Sequence, residues 1–129
     1  MKKQKGQSLV EFALVLPVLI LLLCGIADFG RGFHIYLTLD HAGREAARAA
    51  SVQKENTDIR HAAISNAGTL TNPALSPSHI QISPDTKSAR TTGSDVTITI
   101  RYPFSFVTPA MNSMFSGFQI QNTTVMRIE

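Results

Sequence analysis

Glu11 has the strongest claim on chemistry in this chain, because it is the one charge in an apolar run from Leu9 to Ala27. A carboxylate near the middle of a membrane span costs roughly 2.5–3.5 kcal/mol on insertion scales, and less near an end. It is tolerated when it snorkels to the interface or meets a positive partner. The sequence offers one such partner. Were the chain cut after Gly6, Gln7 would carry a free ammonium one helical turn before Glu11. A pair between Glu11 of one copy and the amino terminus of its neighbour would neutralise both charges inside an apolar bundle.

The other chemistry-bearing residues form no comparable set. His34 and His41 stand about two helical turns, roughly 10.5 Å, apart, and His61 and His79 lie far along the chain. His41 and Glu45 have ligand-like i, i+4 spacing, but no third metal ligand is evident. There is no Cys/His pair outside the apolar run, no glycine-rich phosphate loop after a strand, and no carboxylate pair in an evident cleft. No catalytic residue, metal site or cofactor is therefore expected, and the chain does not read as an enzyme. Cys24 is the single cysteine and can form no internal disulfide; it reads as a small buried hydrophobe. Leu23 before it is too large for a lipidation motif.

The formal charge of +3 comes from Lys2, Lys3 and Lys5. From Gln7 onward nine basic residues balance nine acidic ones, so no basic stripe is left to follow nucleic-acid phosphates.

These residues are positioned by one long helix. The run from Leu9 to Ala27 would be about 28 Å long as a helix, close to the ~30 Å core of a bilayer. The three lysines would stay on the cytoplasmic side and the remainder would face outward. Pro17 removes one helix hydrogen bond inside the span and predicts a bend or loosening there. Gly25-Ile26-Ala27 could end a cleaved secretory signal. Against that, Ile26, Phe29, Phe33, Tyr36 and Leu37 continue the helical spacing past it. Gly30 and Gly32 weaken the continuation and mark a bend at the membrane surface. In the alanine-rich stretch Arg44–Ala50, small side chains permit close helix approach. There Arg44 and Arg48 share a face, Glu45 can pair with Arg48, and the three are candidate subunit contacts.

Beyond a polar break at Ser51–Glu55, Asn56 or Thr57 would cap a second helix with an apolar stripe through Ile59, Ala62, Ala63, Asn66, Ala67 and Leu70. Residues 71–78, with Asn72-Pro73 and Ser76-Pro77, read as a loop. The period then changes to two. His79–Ser83 predicts a short strand with Ile80 and Ile82 on one face, and Asp95–Tyr102 a longer one with Val96, Ile98 and Ile100 inward. Between them Lys87, Arg90 and Gly93 mark exposure. A last strand from about Gln119 to Glu129 would point Val125 and either Met126 or Ile128 inward, and without a bulge one of these must give way. In Pro103–Phe118, Thr108 as cap and Pro109 at the first helical position predict a short helix. This stretch is expected to cover the dry face of the sheet, the alternative being an exposed patch for a neighbour or a membrane. Asn122-Thr123-Thr124 fits a glycosylation sequon, a match too short to carry weight.

The fold class is therefore α+β, with a long N-terminal transmembrane and amphipathic helix, a second helix and a small antiparallel sheet. The expected parts are a leader at 1–6, a span at 7–27, a helical continuation at 28–51 and an exterior domain at 52–129.

Gly6, Gln7, Ser8, Leu9, Val10, Glu11 and Phe12 together resemble the cleavage site of type IV prepilins, in which the peptidase cuts after the glycine and the acid falls at the fifth mature position. With Pro17, the Asp28-Phe29-Gly30-Arg31 step and the Ala-Arg block at Arg44–Ala50, about residues 5–51 are similar to the TadE-like pseudopilins of the tight-adherence (Flp) system. Tyr102-Pro103-Phe104, Thr108-Pro109 and Met126-Arg127 resemble that family more loosely. The resemblance implies a pilin-like fold, cleavage between Gly6 and Gln7, and Glu11 as the assembly charge. It implies the major Flp-type pilin, other minor pilins, a prepilin peptidase and the inner-membrane assembly platform as partners, beside membrane lipid. It implies a bacterial inner-membrane location, with the exterior domain periplasmic or in the pilus. Two other readings stay open: a single-pass anchored exterior binding module that never enters a filament, and a secreted domain after signal cleavage.

Overall fold

The computed structural model describes residues 2–71 and 74–129. Met1 and the Asn72-Pro73 step of the expected loop lie outside the described residues, as do the side chains of Lys2 and Lys3. In chain order the elements are α1 (Lys2–Ser51), α2 (Asn56–Ser65), β1 (Ile80–Ser83), β2 (Asp95–Pro103), α3 (Pro109–Met114) and β3 (Gln119–Arg127), with single 3-10 turns at Pro77–His79 and Lys87–Ala89. This is the expected α+β arrangement of a long apolar helix, a second helix and a three-stranded antiparallel sheet. It divides into two compact units, Met1–Arg31 with Ser105–Ser116, and Gly32–Phe104 with Gly117–Glu129.

The second unit holds the hydrophobic core. Its part of α1 buries Ile35, Leu39, Ala42, Ala46, Ala47, Ala49 and Ala50, which fall on one side of the helix. α2 adds Ile59 and Ala63, with Ala67 and Leu70 buried just beyond its end. Its N-cap position falls on Glu55 rather than Asn56 or Thr57. The amide of Asn56 is engaged elsewhere, because its carbonyl oxygen receives the Arg90 guanidinium.

The sheet has the order β1-β2-β3. Ile80 and Ile82 face Ile100 and Ile98, and these four with Val96 form its dry side. β2 and β3 pair without a bulge from Asp95↔Arg127 to Pro103↔Gln119. That register decides the ambiguous strand. Val125 pairs with Thr97 on the wet face and is 58% exposed. Ile120, Met126 and Ile128 take the inner parity, with Asn122 and Thr124 between them. The expectation that Val125 points inward is therefore wrong.

The inward polar pair meets α1 at a glycine. A Cβ on Gly43 would lie 2.7 Å from Thr124 Oγ1 and 3.0 Å from Asn122 Oδ1, so helix and strand approach here by virtue of an absent side chain. Asn122 Nδ2 donates to Asp40 Oδ1 (3.2 Å), and Thr124 Oγ1 donates to Asn122 Oδ1 (3.1 Å). These bonds satisfy the buried amide, and with Asn122 enclosed the sequon is committed to packing.

α1 ends in a Schellman arrangement. Gln53 N donates to Ala50 O (2.9 Å) and Lys54 N to Ala49 O (3.2 Å), with Gln53 at φ 58° in the left-handed region.

Arg90 corrects another expectation. It is 2% exposed, not a surface marker. Nη1 donates to Asn56 Oδ1 (2.7 Å) and Pro84 O (3.3 Å), and Nη2 donates to Lys54 O (3.0 Å). Carbonyl oxygens thus take the place of a carboxylate in receiving the buried charge, and they tie the long connection between β1 and β2 to the α1–α2 junction.

Candidate functional site

α1 continues as one helix through Pro17, Gly30 and Gly32. From Gln4 to Leu23 every residue is exposed, including large side chains such as Leu9, Phe12, Leu14 and Leu22. A helix satisfies its own backbone polar groups, so it is one of the two forms a chain can adopt within lipid. Among the described residues nothing encloses these side chains, so an apolar surrounding would stabilise them.

Gly6, Gln7 and Glu11 sit at the start of this exposed length. Gln7 Nε2 donates to Glu11 Oε1 at 3.3 Å, so the two residues share one helical face. The Gly6–Gln7 bond is open to solvent, and a Cβ on Gly6 would meet nothing within 4 Å.

At the far end of the run lies an arrangement whose function the residue pattern did not indicate. Asp28 is only 6% exposed. Its Oδ1 accepts a hydrogen bond from Val107 N (2.7 Å), and its Oδ2 accepts from Thr108 N (3.3 Å) and Thr108 Oγ1 (3.0 Å). Arg31 Nη1 is 3.5 Å from Asp28 Oδ1 and donates to Ser105 O (3.1 Å). One carboxylate and one guanidinium, a turn apart on α1, thus hold the start of the 105–116 segment. Burial pushes the Asp28 carboxyl up, but the bonds from Val107 and Thr108 and the charge of Arg31 outweigh it, so the group titrates below its ordinary value.

Thr108 does stand at the N-cap position of α3 with Pro109 at N1, as expected, but its hydroxyl turns to Asp28 instead of capping the helix. Several other side chains of the segment are apolar. Val107, Met111, Met114 and Phe115 are all exposed, Met114 to 74%. Within it Phe106 and Phe115 pack at 5.9 Å, and Asn112 Oδ1 accepts from Phe106 N (3.4 Å). The clue available was an acid directly after an apolar run with an arginine three residues on, although its partners lie some eighty positions away.

Arg44, Glu45 and Arg48 belong to the other unit. Arg44 and Arg48 are exposed and Glu45 is half-buried. The expected Glu45–Arg48 pair is not among the ion pairs of the described residues. Instead Arg44 Nη2 pairs with Asp40 Oδ2 at 2.9 Å, with the acid four residues N-terminal to the base, the favoured order on a helix. Among the described residues no three His, Cys, Asp or Glu side chains gather into a metal-binding group.

Among the described residues one helix, near the N-terminus, is long and apolar enough to cross a bilayer, which with the small α+β unit fits a single-pass membrane anchor. Within that class, residues 6–48 match the family model described as TadE-like protein. The matched stretch contains Gly6, Gln7, Glu11, Pro17, Asp28, Arg31, Arg44, Glu45 and Arg48, and it points to association with the Tad pilus machinery. No curated protein and no solved structure matches the chain.

Proposed function

We propose that this protein is a minor pilin, or pseudopilin, of a tight-adherence pilus, with a structural rather than a catalytic role. The leader stays in the cytoplasm, a prepilin peptidase cuts between Gly6 and Gln7, and the exposed apolar helix then packs against other pilins during pilus assembly or at the tip. The reading rests chiefly on Glu11, an exposed acid at the head of an uncovered apolar helix, one turn from Gln7 and within hydrogen-bonding reach of it. Once Gln7 is the first residue, its ammonium supplies the positive partner that Glu11 needs on leaving water. Gly6 helps the peptidase, because a glycine lowers helix stability by about 1 kcal/mol relative to alanine and eases local unwinding at a fraying end. Major and minor pilins and the inner-membrane assembly platform are the partners this reading implies.

Two measurements test it in a host with its own peptidase. The mature chain in membranes should begin at Gln7 by intact mass. Glu11→Ala should keep membrane insertion and lose surface filaments. A mature chain beginning at Asp28, or piliation unchanged in Glu11→Ala, overturns the proposal; the latter result fits an anchored binding module instead.

A further inference from the structure

The 105–116 segment has a feature on which the proposed assembly role does not draw. No residue between Ser105 and Ser116 carries a charge, and Val107, Met111, Met114 and Phe115 are exposed. It is pinned by Asp28, the residue immediately after the apolar run ends at Ala27. Both stretches belong to the same compact unit.

We propose that this segment is an interfacial foot, which seats Val107, Met111, Met114 and Phe115 in the boundary between headgroups and acyl chains where α1 leaves the bilayer. The occupant of the patch is lipid, and the reason is continuity. The lock begins one residue beyond the span, so the patch is held at the depth where the membrane surface must lie if the run spans the bilayer. The inference rests on that reading of the run. Side-chain chemistry agrees with the placement. The Asp28 charge is enclosed by donors and does not face the lipid. The Arg31 guanidinium is about half-exposed and stands beside it, where phosphates would be. Methionine and phenylalanine beside one half-exposed arginine suit a surface that lies in an interface rather than across it.

The test uses the full-length chain in phosphatidylcholine–phosphatidylglycerol vesicles, in a Cys24→Ser background, with an environment-sensitive fluorophore on Met114→Cys, Leu19→Cys or Gln81→Cys. Lipids bearing a spin label high on the acyl chain should quench the Met114→Cys probe by about half, consistent with ~5–10 Å of burial. A label low on the chain should quench the Leu19→Cys probe more strongly, and the Gln81→Cys probe should respond to neither. Adding Asp28→Ala should reduce quenching at Met114→Cys and leave Leu19→Cys unchanged. If Leu19→Cys is quenched and Met114→Cys is not, the foot is refuted while the span stands. If neither is quenched, the span reading itself fails, and the foot with it. A Met114→Cys probe that is shielded from water yet insensitive to lipid quencher, and that changes with protein-to-lipid ratio, overturns the proposal in favour of a second copy as the occupant. Quenching at Met114→Cys that survives Asp28→Ala overturns the role of the lock.

Discussion

The two lengths of α1 invert the usual relation between side-chain size and burial. From Leu9 to Leu23 the helix carries leucine, valine, isoleucine and phenylalanine, and they are exposed. From Ala42 to Ala50 it carries mostly alanine, and five of those alanines are buried. Hydrophobicity alone therefore does not say which part of a helix the fold encloses. The alanine length is enclosed because small side chains let other elements come close, and Gly43 takes this to the limit at Thr124 and Asn122. The leucine length has a fuller apolar surface that no described residue encloses, which fits a membrane anchor.

Leu39→Ala and Leu19→Ala put this contrast to its sharpest test. Leu39 is fully enclosed, so its truncation should cost about 2–5 kcal/mol in urea unfolding of the detergent-solubilised full chain. Leu19→Ala should leave the same transition within about 0.5 kcal/mol. Equal losses would show that the first length is part of the folded core after all. A smaller effect is expected at Asp28. Removing charged acceptors of this kind should speed hydrogen exchange at the Val107 and Thr108 amides by about 10- to 100-fold in Asp28→Ala, with the exchange of β2 unchanged. The folded carboxyl titrates below the 3.8 of a free one, so its contribution is complete above that value and is lost as pH falls through the lower folded value. Exchange at those amides should therefore show no Asp28-dependent change between about pH 5 and 8 and should accelerate only in strong acid. The smallest effect belongs to Gln53. Replacing this left-handed residue with glycine should stabilise the second unit by about 0.5–1 kcal/mol, read by the same urea transition.

The architecture was legible where one pattern dominated. Alternation located β1 and β2 and their inner faces, because Ile80, Ile82, Val96, Ile98 and Ile100 leave one parity for the core. In β3 both parities hold apolar residues, and the inner one includes Asn122 and Thr124, so the register followed from pairing with β2 and not from hydropathy. Arg90 could not be read from its own neighbourhood. Two of its three acceptors, at Lys54 and Asn56, lie more than thirty positions away, and those at Lys54 and Pro84 are backbone carbonyls that composition does not reveal. Of the candidate site, Glu11 was singled out as the one charge in the apolar run, and Gly6 and Gln7 by the resemblance of this stretch to a prepilin cleavage site. The Asp28 lock was not, since Val107 and Thr108 contribute mainly backbone amides, which every residue but proline possesses.

The enclosure of Arg90 also determines how the connection between β1 and β2 meets a digestive enzyme. Trypsin must draw a basic side chain and the backbone around it into its cleft. Lys87 is 46% exposed and held only by an exposed ion pair with Glu55, while three residues later Arg90 is withheld. Limited digestion of the folded protein should therefore nick this loop after the lysine and spare the arginine until the whole unit opens.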